Sequence, residues 1–209
     1  MVFDGDVANP LVILDGGLGR QLEAMGAPFR QPEWSALALI EAPDFVRQAQ
    51  DAFIAAGAEV ISTNSYALVP FHIGDERFAT NGADLIALSG KLARAAADAA
   101  KGPVRVAGGI PPMFGSYRPD LFDPVAAVPM MHLFRHALSP YVDLFAAETF
   151  SAVAEARCFL DVFGGAGKPL WVSFSLEDVA PEAGCPRLRS GEPLADAIAA
   201  LGAADTHQQ

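Results

Sequence analysis

Short apolar runs alternate along this chain with longer stretches of helical period, and that alternation limits the possible folds more than any other feature. The runs fall at Leu11–Leu14, Glu59–Thr63, Val104–Ala107, Val142–Ala146 and Leu170–Phe174. Strands that are apolar throughout are buried on both faces, which puts helices on either side of them and makes the sheet parallel. Five strand–helix units are expected. The helices carry their own marks: Pro43 suits a first turn, Phe45, Ala49, Phe53 and Ala56 share a face, and Gly57 is a stop. Leu85, Leu88, Leu92 and Ala99 make a second stripe, and Ala152, Ala156, Phe159 and Phe163 a third that closes at Gly164 and Gly165. A fourth helix is expected around Met130, Met131, Phe134 and Leu138, and a fifth after Pro193.

Such a sheet either lies open or closes into a barrel. An open nucleotide-binding sheet carries a glycine fingerprint after its first strand, but Gly16-Gly17-Leu18-Gly19 has the wrong spacing, and no P-loop motif occurs. The expected fold is α/β, a (β/α) barrel of the TIM type, with residues 1–209 forming a single domain. The runs begin about 40 residues apart, so eight units require on the order of 300 residues. The 209 residues hold about five of the eight.

Charge narrows the partners. Fourteen basic against 25 acidic side chains give a net charge of −11, which leaves no basic surface for nucleic acid or anionic lipid. Every apolar stretch breaks before the ~18 residues of a membrane span, and Met1 to Pro10 lack the pattern of a signal peptide. Cys158 and Cys185 are too few for a disulfide framework, so a cytoplasmic setting is expected.

In a barrel the chemistry gathers where strands end. Those positions hold Asp15-Gly16-Gly17, Thr63-Asn64-Ser65, Gly108-Gly109, Glu148-Thr149 and Ser173–Ser175. Asp15 and Glu148 can receive an ammonium group or orient a proton; helix capping and surface ion pairing account for them equally well. Glycines 16, 17, 108 and 109 admit a ligand near the backbone or serve turns. Lys91, Lys101 and Lys168 lie away from strand ends, which disfavours Schiff-base chemistry. His132 and His136 stand four apart on a helix with no third ligand spaced to join them, so a solvated face is expected. Cys158 reads as a small buried side chain, and Cys185 sits in a loop without an evident base.

Several segments, in the same order along the chain, carry a family resemblance. Leu14-Asp15-Gly16-Gly17-Leu18-Gly19 with Pro32-Glu33-Trp34-Ser35-Ala36 resembles the opening of the homocysteine S-methyltransferases. Ala55–Tyr66 resembles their segment ending in Thr-Asn-x-Tyr, Ala147-Glu148-Thr149 their Glu-Thr pair, and Trp171–Phe174 with Ser190-Gly191-Glu192 their next strand and loop. The resemblance runs from about Leu11 to Leu201.

It implies a barrel enzyme that moves a methyl group from a sulfonium or ammonium donor to the thiol of homocysteine, giving methionine. It further implies Glu148 as the acceptor for the amino group, with Thr63, Asn64 and Thr149 beside it and Asp15, Gly16 and Gly17 near the sulfur. Trp34 faces the donor through cation–π contact or plugs the barrel rim. The family's zinc, held by three cysteine thiolates, deprotonates the thiol. Nothing after Leu201 matches, Cys158 and Cys185 lie outside the zinc motifs, and a C-terminally truncated member without its zinc ligands is expected. The other reading is a non-catalytic binding or assembly subunit, a partial barrel completed by a partner chain, either another protein or a second copy joined through exposed sheet edges.

Overall fold

The computed structural model describes residues 11–179 and 184–205. Residues 1–10, on which the expected lack of a targeting segment rests, lie outside it. Four parallel strands pair in chain order: β1 (Val60–Ser62), β2 (Arg105–Ile110), β3 (Leu144–Phe150) and β4 (Leu170–Phe174). Each crossover returns to the next place in the sheet. That is the winding of a (β/α) barrel; a doubly wound sheet reverses its order partway.

Eight helices flank the described sheet: α1 (Leu18–Ala24), α2 (Ser35–Glu41), α3 (Pro43–Ala55), α4 (Pro70–Ile73), α5 (Asp75–Asp98), α6 (Pro124–Leu138), α7 (Val153–Phe163) and α8 (Leu194–Asp205). Pro43 opens α3 as expected, yet its buried face is Val46, Ala49 and Gln50, with Ala56 exposed beyond its end. In α5 the buried stripe is Ile86, Ala93 and Ala97, and Leu85, Leu88 and Leu92 flank it. The stripe Ala156, Phe159, Phe163 is buried on α7 as read. Asp123 starts α6 by accepting hydrogen bonds from the amides of Val125 at 2.9 Å and Ala126 at 3.2 Å. No helix among the described residues is long and apolar enough to cross a membrane.

Two boundaries differ from expectation. Leu11–Leu14 forms no strand, only a single bridge from Leu14 to Val60, so the five expected units are four strands and that bridge. Leu11 is 66% exposed and Leu14 55%. With one neighbour and little packing, nothing forces this segment into a regular ladder. Gly108 and Gly109 lie inside β2, and Glu148 and Thr149 inside β3, because both strands run past the expected ends at Ala107 and Ala146 to Ile110 and Phe150.

Successive residues point to opposite faces. Val60, Ala107 and Leu144 pack together on the inner face with Ala146 and Trp171, whereas Ile61, Val106, Ile110, Phe145 and Phe150 join the helix-side core. Phe145 meets Phe163 at 4.8 Å between ring centres, and Phe150 meets Phe159 at 6.0 Å, so α7 clamps β3 along its length.

Candidate active site

The polar site is built on the carboxyl end of β3. Ala147 pairs with Val172 and Phe150 with Phe174, so three steps along β3 answer two along β4. The extra residue is a bulge at Glu148 and Thr149, and Thr149 takes φ +62°, a left-handed conformation costly for a β-branched residue. The bulge solves a parity problem. Alternation from Leu144 and Ala146 turns Glu148 to the inner face, and the inserted residue lets Phe150 return to the helix side. Ser173 on β4 clips the bulge, donating from Oγ to the Ala147 carbonyl at 3.1 Å and accepting from the Thr149 amide at 3.3 Å.

Glu148 is half-buried, and no donor among the described residues reaches its carboxylate. Burial, with the negative charge of Asp15 adding to it, pushes its pKa up to about 7 from an ordinary 4.5. Asp15 is anchored: the Ser62 amide donates to one oxygen at 2.7 Å and the Ser62 hydroxyl to the other at 3.1 Å. Burial raises the Asp15 pKa as well, against those hydrogen bonds. Two carboxylates therefore share one end of the sheet, one tied down and one free. Neither is a helix cap or a member of a surface ion pair among the described residues.

Thr63 and Ser65 form the floor. The Gly109 amide donates to Thr63 Oγ1 at 3.0 Å, and Ser65 Oγ donates to the Gly109 carbonyl at 2.6 Å. A carbonyl can only accept, so the Ser65 proton is spent there, and the 2.7 Å contact between the two hydroxyls has Thr63 as donor. Asn64 is 2% exposed, and its amide donates to the Ser35 carbonyl at 2.9 Å, fixing the start of α2. Trp34 precedes it at φ 48°, 38% exposed, its ring edge-on to Phe29 at 5.7 Å. Gly16 abuts Phe53, where a Cβ would lie 2.9 Å from the ring, while Gly17 caps α1 beside open space.

Tyr66, which inspection of the sequence for chemistry passes over, joins the wall. Its hydroxyl lies 2.6 Å from Ser116 Oγ and bonds to Thr149, while burial raises its pKa. Tyr66 closes the Thr-Asn-x-Tyr segment of the family resemblance, and that is the signal that could have found it. Glu192 of the Ser190–Glu192 segment accepts from the Val153 amide at the start of α7 at 3.0 Å, which moors the loop after β4 beside β3. A cavity of about 360 Å³ lined by Val128, Val153, Cys158 and Glu192 lies on the helix layer and contains neither site carboxylate.

His132 and His136 are exposed on α6, Cys158 is buried in α7 and Cys185 is exposed. Among the described residues no three His, Cys, Asp or Glu side chains gather to hold a metal. The donor set described here does not fit the zinc implied by the resemblance.

The chain matches the family profile described as homocysteine S-methyltransferase over residues 12–207. Homocysteine S-methyltransferase 1 of Zea mays is 29% identical over 222 residues, covering 95% of this chain and 67% of the relative. The homocysteine S-methyltransferase of Escherichia coli (strain K12) is 30% identical over 213 residues, 91% of this chain and 65% of the relative. The crystal structure of the homocysteine methyltransferase MmuM from Escherichia coli in its metallated form superposes with a TM-score of 0.75 at 28% identity, over 92% of this chain and 70% of that one. The chain thus spans about two thirds of the length of these relatives.

Proposed function

The chain belongs to the homocysteine S-methyltransferase family, and from that premise we propose that it binds homocysteine over the end of β3 and serves methyl transfer to its sulfur. The observation that carries this reading is the Glu148 carboxylate, half-buried, beside a second carboxylate and without a donor of its own. A free carboxylate in such a place suits a cation, and the α-ammonium group of an amino acid offers three N–H donors.

In this reading Glu148 receives the ammonium group, and Thr149, Thr63 and Asn64 hold the surrounding backbone. Asp15, with Gly16 and Gly17, lies toward the sulfur. The Trp34 ring is available to a cationic donor. In the transfer a sulfur–carbon bond forms as the donor's bond from its positive sulfur or nitrogen to the methyl carbon breaks. The positive centre of the donor leaves neutral, and the thiol proton passes to solvent. The described residues supply no metal ligand set, so their part is binding and orientation.

Calorimetric titration with L-homocysteine and with 4-mercaptobutanoate, the same molecule without its amino group, tests the reading. The wild-type protein is expected to prefer homocysteine by ~10–100-fold, the worth of a charge-assisted hydrogen bond, and Glu148→Gln to lose that preference. Equal affinity of the wild-type protein for the two thiols removes the assignment.

A further inference from the structure

Gly109 sits inside β2 with a backbone that other residues could adopt, since its φ is not among the positive values. Its own conformation gives no reason for glycine. Its neighbours do. A Cβ added at this position would stand 2.5 Å from Oε1 of Glu148 and 3.3 Å from Oγ of Ser65. Ser65 has no freedom to give way, being bonded to the Gly109 carbonyl and to Thr63. The Glu148 carboxylate is the end of a flexible side chain with no hydrogen bond to hold it, so it is the group that moves.

We propose that Gly109 is a positioning residue for the ammonium site: lacking a side chain, it leaves the space that the Glu148 carboxylate occupies, and any Cβ there drives that carboxylate off the substrate. The proposal rests on the reading of Glu148 given above. The neighbouring Gly108 shows the contrast, because a Cβ there would meet Phe145, Val142 and Leu138 at 3.1 to 3.3 Å. That glycine serves the core, where crowding is felt as stability. Crowding at Gly109 meets a movable charge and is felt as recognition.

The test is a double-mutant cycle between Gly109→Ala and Glu148→Asp, whose shorter side chain withdraws the carboxylate from the clash. Titrations of the full chain with L-homocysteine and 4-mercaptobutanoate are read together with the titration of the Glu148 carboxyl followed by carbon-13 NMR. Gly109→Ala is expected to weaken homocysteine ~10-fold, to leave 4-mercaptobutanoate within ~2-fold, and to move the Glu148 titration toward lower pH as the group reaches water. In the Glu148→Asp background the same glycine change is expected to cost less than ~2-fold. An unmoved Glu148 titration in Gly109→Ala overturns the proposal, as does an equal ~10-fold loss in both backgrounds. Should the wild-type protein fail to distinguish the two thiols, the functional reading falls, and the carboxyl titration alone still decides the role of Gly109.

Discussion

Replacing Glu148 with glutamine isolates what the free carboxylate costs the fold. The side chain keeps its shape, and among the described residues no hydrogen bond to it is lost. The folded protein holds the Glu148 proton up to about pH 7, while the unfolded chain releases it near 4.5. Between those values the folded state binds more protons than the unfolded state, so wild-type stability falls as pH rises through this window and is level above it. Integrating that difference gives a cost of about 0.8 kcal/mol at pH 5 and about 3.3 kcal/mol at pH 8. Partial exposure of the side chain screens the charge and brings the expected change between the two pH values to about 2 kcal/mol. Glutamine cannot ionise, so the variant lacks this slope. Urea unfolding at pH 5 and pH 8 is the assay, with equal m-values as the check that both proteins unfold alike. Glu148→Gln is expected to gain on the wild-type protein by about 2 kcal/mol between the two conditions. A stability difference that stays constant with pH, or a variant that loses ground at pH 8, refutes the picture of a desolvated, unpaired carboxylate.

Two further perturbations probe the surroundings. Asp15→Asn removes the neighbouring negative charge, and the Glu148 titration measured by carbon-13 NMR is expected to move to lower pH while staying above 4.5, because burial is the larger cause of its shift. Thr149→Gly relieves a left-handed residue but gives up its bond to Tyr66 and adds unfolded-chain entropy, so stability in urea unfolding is expected to stay within about 1 kcal/mol of the wild-type protein; a loss greater than about 1 kcal/mol would show that the Thr149 side chain holds the bulge by its contacts.

The helix start at Pro43 and the order of units were legible because each rests on local chemistry, a proline whose missing N–H falls on an orphan position and a glycine stop, whereas the start of α6 at Pro124 depends on the Asp123 cap, which the apolar period does not locate. The first run, Leu11–Leu14, failed because a strand is made by its neighbours. Apolar composition identified residues able to pair, while only Val60 offers Leu14 a partner. Composition leaves glycines 108 and 109 open between a turn and room for a ligand; both lie within β2, and what excludes a side chain is the closeness of Phe145 on one face and Glu148 on the other. The candidate carboxylates were visible as residue types at strand ends. That one is bound and the other free depends on Ser62, which alternation alone does not distinguish from any other strand serine. The bulge left one faint trace. Ala147 and Phe150 both belong to the helix-side core, yet they stand three apart, an odd number that a regular strand cannot bring to one face.

That odd spacing gathers two costs at one point of the chain. A left-handed threonine costs about 1–2 kcal/mol, and an ionised Glu148 at neutral pH, its charge screened by partial exposure, costs about 2 kcal/mol more. Their combination is a large fraction of the ~5–15 kcal/mol that holds an ordinary domain together. Glycine for the first and glutamine for the second would remove both without disturbing the aromatic contacts of Phe145 and Phe150 with α7 that keep β3 in place. Thr149 has its bond to Tyr66, whereas the contacts of β3 with α7 give no account of the free Glu148 carboxylate. In the proposed reading an ammonium group arriving at Glu148 replaces the lost water and lowers the cost of its charge, while the bulge keeps that charge on the inner face as the strand turns Phe150 back into the core. A bound cation would make the two penalties one arrangement.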